Sequence, residues 1–281
     1  MTFDGFMYLD VSDPMIAWNA YRGVLVSQKL VQRSMGEAAV PALSMTMARL
    51  LMDQNLDRLN FELELEATRV MQFNHHASRL TGLYVFDTPE SALAAAQEDW
   101  GGHLVHENLT DVGVSAAPNL TRVDANWITW MLAARVSQGV NWRDGIFPYW
   151  EGKSCPYHDS PIWEVLVDGS VTLWGTALRD RAYNTTRARS PNALALLEQS
   201  RLAAMLGSDL GHVCALVTLE KDVPLMSFHM DMRDAMDPLY ASKLADYMKS
   251  NPQLVNHRDL AVGGDSFRTP NFLAYSHAFQ H

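Results

Sequence analysis

Cysteine is scarce in this sequence. Only Cys155 and Cys214 occur in 281 residues, in neither a CxxC pair nor a metal-type cluster, and at a separation from which no disulfide can be read. A reducing compartment is the simplest setting. Positive charge is short as well: 22 Lys and Arg against 32 Asp and Glu give −10, which disfavours a nucleic-acid binder living on its net field and leaves room for a local basic patch only. No stretch reaches the roughly 18 apolar residues of a membrane span. The N-terminal residues, with Asp4 and Asp10, carry no basic region followed by an apolar run, so the chain reads as soluble and cytoplasmic, with no membrane partner. Internal repeats and a linker rich in Gly, Pro or Ser are absent too. One domain over residues 1–281 is therefore expected, with a helical segment over about 14–73 and a C-terminal extension over about 176–281. Its 48% hydrophobic and 19% charged residues fit a globular protein.

What the sequence does contain is an abrupt change of period in residues 78–96, SRLTGLYVFDTPESALAAA. Leu80 to Phe86 has the aromatic and β-branched residues of a half-buried strand. Asp87-Thr88-Pro89-Glu90 then supplies a capping side chain, a proline for the first helical turn and an acid that suits the helix dipole, so a helix follows to about Trp100. Arg79 beside Ser78 at the mouth of this strand can clamp an anion, because guanidinium forks onto phosphate or carboxylate. A surface arginine capping the strand end has the same residue types.

Elsewhere, a strand is expected over Phe6–Val11 and a helix from Ser12-Asp13-Pro14 to about Arg33, with Trp18, Tyr21 and Leu25 on its core stripe. Residues 42–73 predict one long helix or a helical hairpin, with Leu56, Leu59, Leu63 and Val70 on its apolar stripe. His103–Leu109 alternates as a strand, 124–138 is helical and 147–159 is a loop around Tyr149-Trp150. Ile162–Val167, Asp168-Gly169 and Val171–Trp174 together read as a β-hairpin. Past it, five arginines (179, 181, 187, 189, 201) face Asp180 and Glu198, a local basic run. Helices over 192–206 and 238–249 and strands over 213–219 and 225–228 complete the pattern.

Glu164 is the most informative single residue. A carboxylate inside an apolar strand costs free energy unless it is paired or put to use. An edge-strand acid facing water, or a structural salt bridge, accounts for it equally well.

Several short motifs in order, ExxRxxxFN (Glu66, Arg69, Phe73, Asn74), SRL with FDTPESA, DANW (Asp124–Trp127), YWEG (Tyr149–Gly152) and IWEVLVDG (Ile162–Gly169), resemble bacterial and phage proteins with an ADP-ribosyltransferase-like fold. The resemblance covers about residues 62–175. It implies an α+β fold with a split mixed sheet, NAD as substrate, Glu164 as the catalytic residue, and an NAD pocket formed in part by Ser78 and Arg79; nicotinamide needs an aromatic wall and the pyrophosphate a cation, roles that Tyr149 or Trp150 and Arg79 can fill. The acceptor of ADP-ribose would be a macromolecule, protein or nucleic acid. Two departures stand out. The first strand has neither the arginine nor the histidine of better-known transferases, and Ile162 replaces the Gln or Glu that precedes the catalytic residue by two. A catalytically inactive binding module of the same fold is thus a second reading. On either reading of the pocket, Arg79→Ala is expected to weaken NAD binding more than it disturbs the fold.

A competing constellation lies near the C-terminus: His229, Asp231 and His257, followed by Arg268, have the residue types of an iron- and 2-oxoglutarate-dependent oxygenase. The gap from Asp231 to His257 is short for the strands such enzymes place between ligands.

Overall fold

A computed structural model describes residues 2–35, 42–53, 55–98, 104–220, 223–252 and 277–278. Its elements run β1 (Thr2–Tyr8), α1 (Pro14–Arg22), β2 (Val24–Val26), α2 (Gln28–Met35), β3 (Ala42–Leu43), α3 (Met45–Met52), α4 (Leu56–Gln72), β4 (Leu83–Phe86) and α5 (Pro89–Gln97). There follow β5 (Leu109–Asp124), α6 (Asn126–Val136), α7 (Ile146–Trp150), β6 (Trp163–Leu173), α8 (Thr176–Arg189), α9 (Leu194–Met205), β7 (Val213–Glu220), β8 (Val223–Met230), α10 (Pro238–Ser250) and β9 (His277–Ala278). The chain is a mixed α/β protein with antiparallel sheet. It divides into two compact units, the first made of residues 1–8, 26–39 and 43–174, the second of residues 9–25, 40–42 and 175–281.

In the first unit, β1 pairs with β5 from Thr2↔Ser115 to Tyr8↔Leu109 and meets β4 at Phe6↔Phe86. β4 in turn pairs with β6, Phe86 opposite Glu164, and β6 pairs with β5 from Val112↔Leu173 to Asp124↔Trp163. Each of these four strands is thus bonded on both sides to another of the four, and the circuit closes. A register shift between Ala116 and Asn119 interrupts the pairing of β5 with β6, which resumes beyond it. A core cluster joins Phe61 and Leu65 of α4, Trp127 and Met131 of α6, Tyr149 and Trp150 of α7, and Leu166 of β6.

Asp124 closes one end of this core. Its fully buried carboxylate accepts the backbone N–H groups of Asn126, Cys155 and Ile162 at 2.7–3.1 Å, which fixes the start of α6 and both ends of the loop leading into β6.

Several expectations are corrected here. No hairpin forms at Asp168-Gly169: β6 runs on through both residues and the irregularity falls on β5 instead, whose register shifts between Ala116, opposite Gly169, and Asn119, opposite Asp168; Asp168 is buried, accepting from Ser27 Oγ at 3.1 Å with Lys29 Nζ 3.2 Å away. Of the two readings of residues 42–73, one long helix or a helical hairpin, two helices are found, α3 and α4, with Asn55 capping the second by accepting from Arg58 N. The face of α4 that turns inward carries Phe61, Glu62, Leu65 and Arg69, while Leu56, Leu63 and Val70 of the expected stripe lie exposed. The strand expected over 103–109 has its first residue outside the described ones, and a single 3-10 turn occupies His106–Asn108 before β5 begins. The start of the 147–159 loop is helical, as α7. The strand and helix of residues 78–96 form in the expected order with shorter bounds: β4 starts at Leu83, because Leu80 and Thr81 belong to a turn, and α5 ends at Gln97, with Thr88 Oγ1 accepting from Ser91 N at 3.1 Å to cap it and Trp100 outside the described residues.

In the second unit, β7 and β8 pair along their lengths from Val213↔Met230, and α1 is anchored on the start of β7 by Asn19, which both accepts from Val213 N and donates to Val213 O. α1 starts on the Asp13 cap but stops eleven residues short of the expected end, because Gly23 takes a left-handed φ of 91° and its N–H returns to Asn19 and Ala20. Gly23→Ala should therefore lower stability by about 1 kcal/mol, read as a shift of the urea midpoint.

Candidate functional site

The site grows from α4, the turn after it, and β6. On the inward stripe of α4, Glu62 is almost wholly buried and binds two arginines: Arg58 one turn earlier at 2.8 and 3.1 Å, and Arg79, whose Nε lies 2.9 Å from Oε2 and whose Nη2 lies 3.3 Å from Oε1. Arg79 reaches it from a tight turn. Gly82 N donates to Ser78 O at 2.9 Å, and a Cβ on Gly82 would meet that same oxygen at 2.6 Å and Val167 O at 3.2 Å, so only glycine lets the turn close under β6. One turn further along α4, Glu66 accepts from Arg69 twice and from Ser78 Oγ at 2.7 Å, while Arg69 donates to His76 O at 2.8 Å. These contacts fix the chain that delivers Arg79.

The second nitrogen of the fork, Arg79 Nη1, donates to Glu164 Oε2 at 3.0 Å and to the Tyr149 hydroxyl at 2.9 Å. The guanidinium also lies over the Tyr84 ring, 5.0 Å from its centroid, and Tyr84 donates its hydroxyl proton to Arg79 O. Arg58, Glu62, Arg79 and Glu164 thus form a line of alternating charge, closed by two tyrosines. The second carboxylate oxygen of Glu164 makes no hydrogen bond among the described residues.

The two acids titrate in opposite directions, and the number of cations explains it. Burial pushes both upward, but Arg79 and Arg58 together override it at Glu62, which is held below the usual carboxylate range. At Glu164 burial prevails over the attraction of Arg79, and the carboxyl is raised. Burial likewise drives the Tyr149 hydroxyl well above its ordinary value, so it stays protonated. Arg79, although desolvated, is pushed up by the surrounding acids, Glu62 foremost.

Of the residues singled out from sequence, Arg79, Tyr149 and Glu164 meet. Ser78 is adjacent in the chain, but its hydroxyl turns to Glu66 and to Leu80 N. Trp150 belongs to the core: it has no exposed surface and its indole N–H donates to Leu65 O at 3.1 Å. Ile162 is buried and donates its N–H to Asp124. Glu62 was missed by sequence reasoning; its signal was an acid lying between Phe61 and Leu65, four residues after an arginine.

His229 lies near the end of β8 and Asp231 just after it, bound by the Arg233 guanidinium, while His257 and Arg268 fall outside the described residues. Among the described residues no group of three His, Cys, Asp or Glu is arranged to hold a metal ion. No described helix is long and apolar enough to cross a membrane.

No protein-family model and no curated protein sequence matches the chain. The fold class and the charged cluster therefore define it: a mixed α/β protein with antiparallel sheet and a buried Arg-Glu-Tyr group beneath β6.

Proposed function

We propose that the chain is an NAD-dependent ADP-ribosyltransferase in which Glu164 is the catalytic carboxylate, acting within an ADP-ribosyltransferase-like α+β fold. The reading rests on one observation: Arg79 Nη1, far from both in sequence, donates to Tyr149 and to Glu164, with one Glu164 oxygen unclaimed among the described residues. A carboxylate so placed is suited to hold a ribose hydroxyl of NAD. When the nicotinamide–ribose bond breaks, its electron pair leaves with nicotinamide and the ribose becomes an oxocarbenium-like cation, which the nearby negative charge stabilises most at the transition state. A nucleophile of a protein or nucleic-acid acceptor then adds to the ribose carbon.

Arg79 plays a different part from the phosphate clamp expected of it. Its donors are engaged with Glu62, Glu164 and Tyr149, so in this reading it orients Glu164 and favours its ionised form. Because burial raises Glu164 and catalysis requires the carboxylate, activity should fall as pH drops through a value above the ordinary glutamate pKa of about 4.3.

The direct test is incubation of the full chain with NAD and chromatographic measurement of free nicotinamide, with and without candidate macromolecular acceptors. Release dependent on Glu164 is the expected result; intact NAD beside folded protein, with every acceptor class tried, overturns the reading.

A further inference from the structure

The outer side of α4 has no part in the NAD reading. Leu56 is 62% exposed, Leu63 45%, Val70 53% and Met71 70%, and the first three recur every seven residues, so they stand in one line along the helix. Asn60 and Ala67, also exposed, fall between them, which completes the alternating steps of four and three of a helix-packing seam. An exposed apolar line of this length marks an interaction surface.

Neighbouring elements extend the line at both ends. Where α4 starts, Arg135 Nη2 of α6 donates to Asp57 Oδ1 at 2.6 Å, and the exposed Val136 and Val140 follow that arginine in the chain. Where α4 ends, the Phe73 ring lies 5.7 Å from that of Phe147 in the first turn of α7, which is half exposed. Midway, beside Leu63, Arg143 Nε donates to Glu64 Oε2 at 2.7 Å. Every acid of α4 that flanks the line is already paired: Asp57 with Arg135, Glu64 with Arg143, Glu66 with Arg69. The face therefore offers no field of one sign to select an oppositely charged partner.

A line of apolar residues at heptad spacing receives another helix lengthwise. Its symmetry indicates which one. Leu56 and Val70 lie seven residues to either side of Leu63, so a two-fold axis through Leu63 sets Leu56 of each copy against Val70 of the other and Leu63 against itself. The same axis turns Val136 and Val140 toward the Met71 and Phe147 end of the other copy. It also lays the two Glu64–Arg143 pairs side by side, where each arginine can reach the other copy's glutamate. We propose that α4 pairs with α4 of a second copy in an antiparallel, two-fold symmetric dimer centred on Leu63. The net charge of −10 opposes association at long range only, since exposed charges are screened beyond about 10 Å at about 0.1 M salt. The proposal does not depend on the NAD reading, because Glu62 and Arg69 occupy the opposite, buried side of α4.

The test is sedimentation velocity of the full chain over a range of concentrations, in which the wild type should form a concentration-dependent dimer. Leu56→Glu, and Leu63→Glu with its two like charges facing each other at the axis, should each weaken that dimer about tenfold or more. Far-UV circular dichroism should not change, because both sites are exposed. The decisive arm mixes the Leu63→Glu and Leu63→Lys variants. Each alone should associate weakly, and the mixture should recover a dimer, because position 63 then meets an opposite charge across the axis. Three results overturn the proposal: a wild type that stays monomeric at every concentration, a dimer that neither Glu substitution weakens, or a mixture that associates no better than its components, which would mean that α4 packs on something other than itself.

Discussion

Glu164→Gln should lower nicotinamide release about 10²–10³-fold, the scale of losing one preorganised electrostatic contact, while NAD binding hardly moves. The substitution is close to isosteric, and the amide oxygen can still accept from Arg79 Nη1, so the geometry of the cluster survives. What disappears is the charge, and charge matters most when the ribose carries its own. Arg79 keeps Glu62 as a counter-ion, so the loss of stability should stay near 1–2 kcal/mol. The signature is a fall in kcat with little change in KM, measured on protein whose melting curve confirms that it is folded. A variant with wild-type turnover would return Glu164 to the role of a structural ion-pair partner.

Arg79→Ala should instead act first on the fold. The sequence alone suggests a weakened NAD site in a sound scaffold, but the structure buries this guanidinium between two carboxylates and a tyrosine hydroxyl. Removing it leaves Glu164 without a cation and Glu62 with Arg58 only. Breaking a buried pair from one side typically costs about 3–5 kcal/mol. The pH dependence has a definite sign. Glu164 already titrates above its unfolded value, and without Arg79 it must rise further. A group raised in the folded state stabilises below its unfolded pKa and loses that contribution as pH climbs through the folded one. The deficit of the variant against wild type should therefore be larger at pH 8 than at pH 5. Paired urea titrations at the two pH values measure it, and a small deficit that ignores pH would mean that the ion line does not bear on stability.

Why residues 78–96 were readable while β5 was not follows from where the information sits. A Thr-Pro-Glu helix start and a Tyr-Val-Phe strand are decided by neighbours within a few positions, and both formed as expected. β5 contains Gly113, Ser115 and an Ala-Ala-Pro stretch, which blurs alternation, and its extended form depends on β1 and β6, both remote in sequence. The same remoteness misled the reading of Asp168-Gly169, whose turn-like composition is overruled by the strand alongside. α4 shows a third limit. Its periodicity was plain, but two stripes were available, and the more apolar one lost because Glu62 and Arg69 had partners to reach inside. In the site itself, Glu164, Arg79 and Tyr149 were visible as residue types out of place, whereas Glu62 looked like one more helix acid.

The four-strand circuit of the first unit is closed unevenly. β5 is bonded along most of its length to β1 and β6, yet β1 touches β4 through one residue pair, Phe6↔Phe86, and Phe86 is the residue opposite Glu164. The ring accordingly has a hinge line rather than uniform stiffness. Local opening takes the route that breaks fewest contacts, so the seam between β1 and β4 should breathe while β5 and β6 stay shut. Amide exchange should be faster at Phe6 and Phe86 than at Val114 or Val171, and a transient gap would then open along the row of residues that ends at the carboxylate.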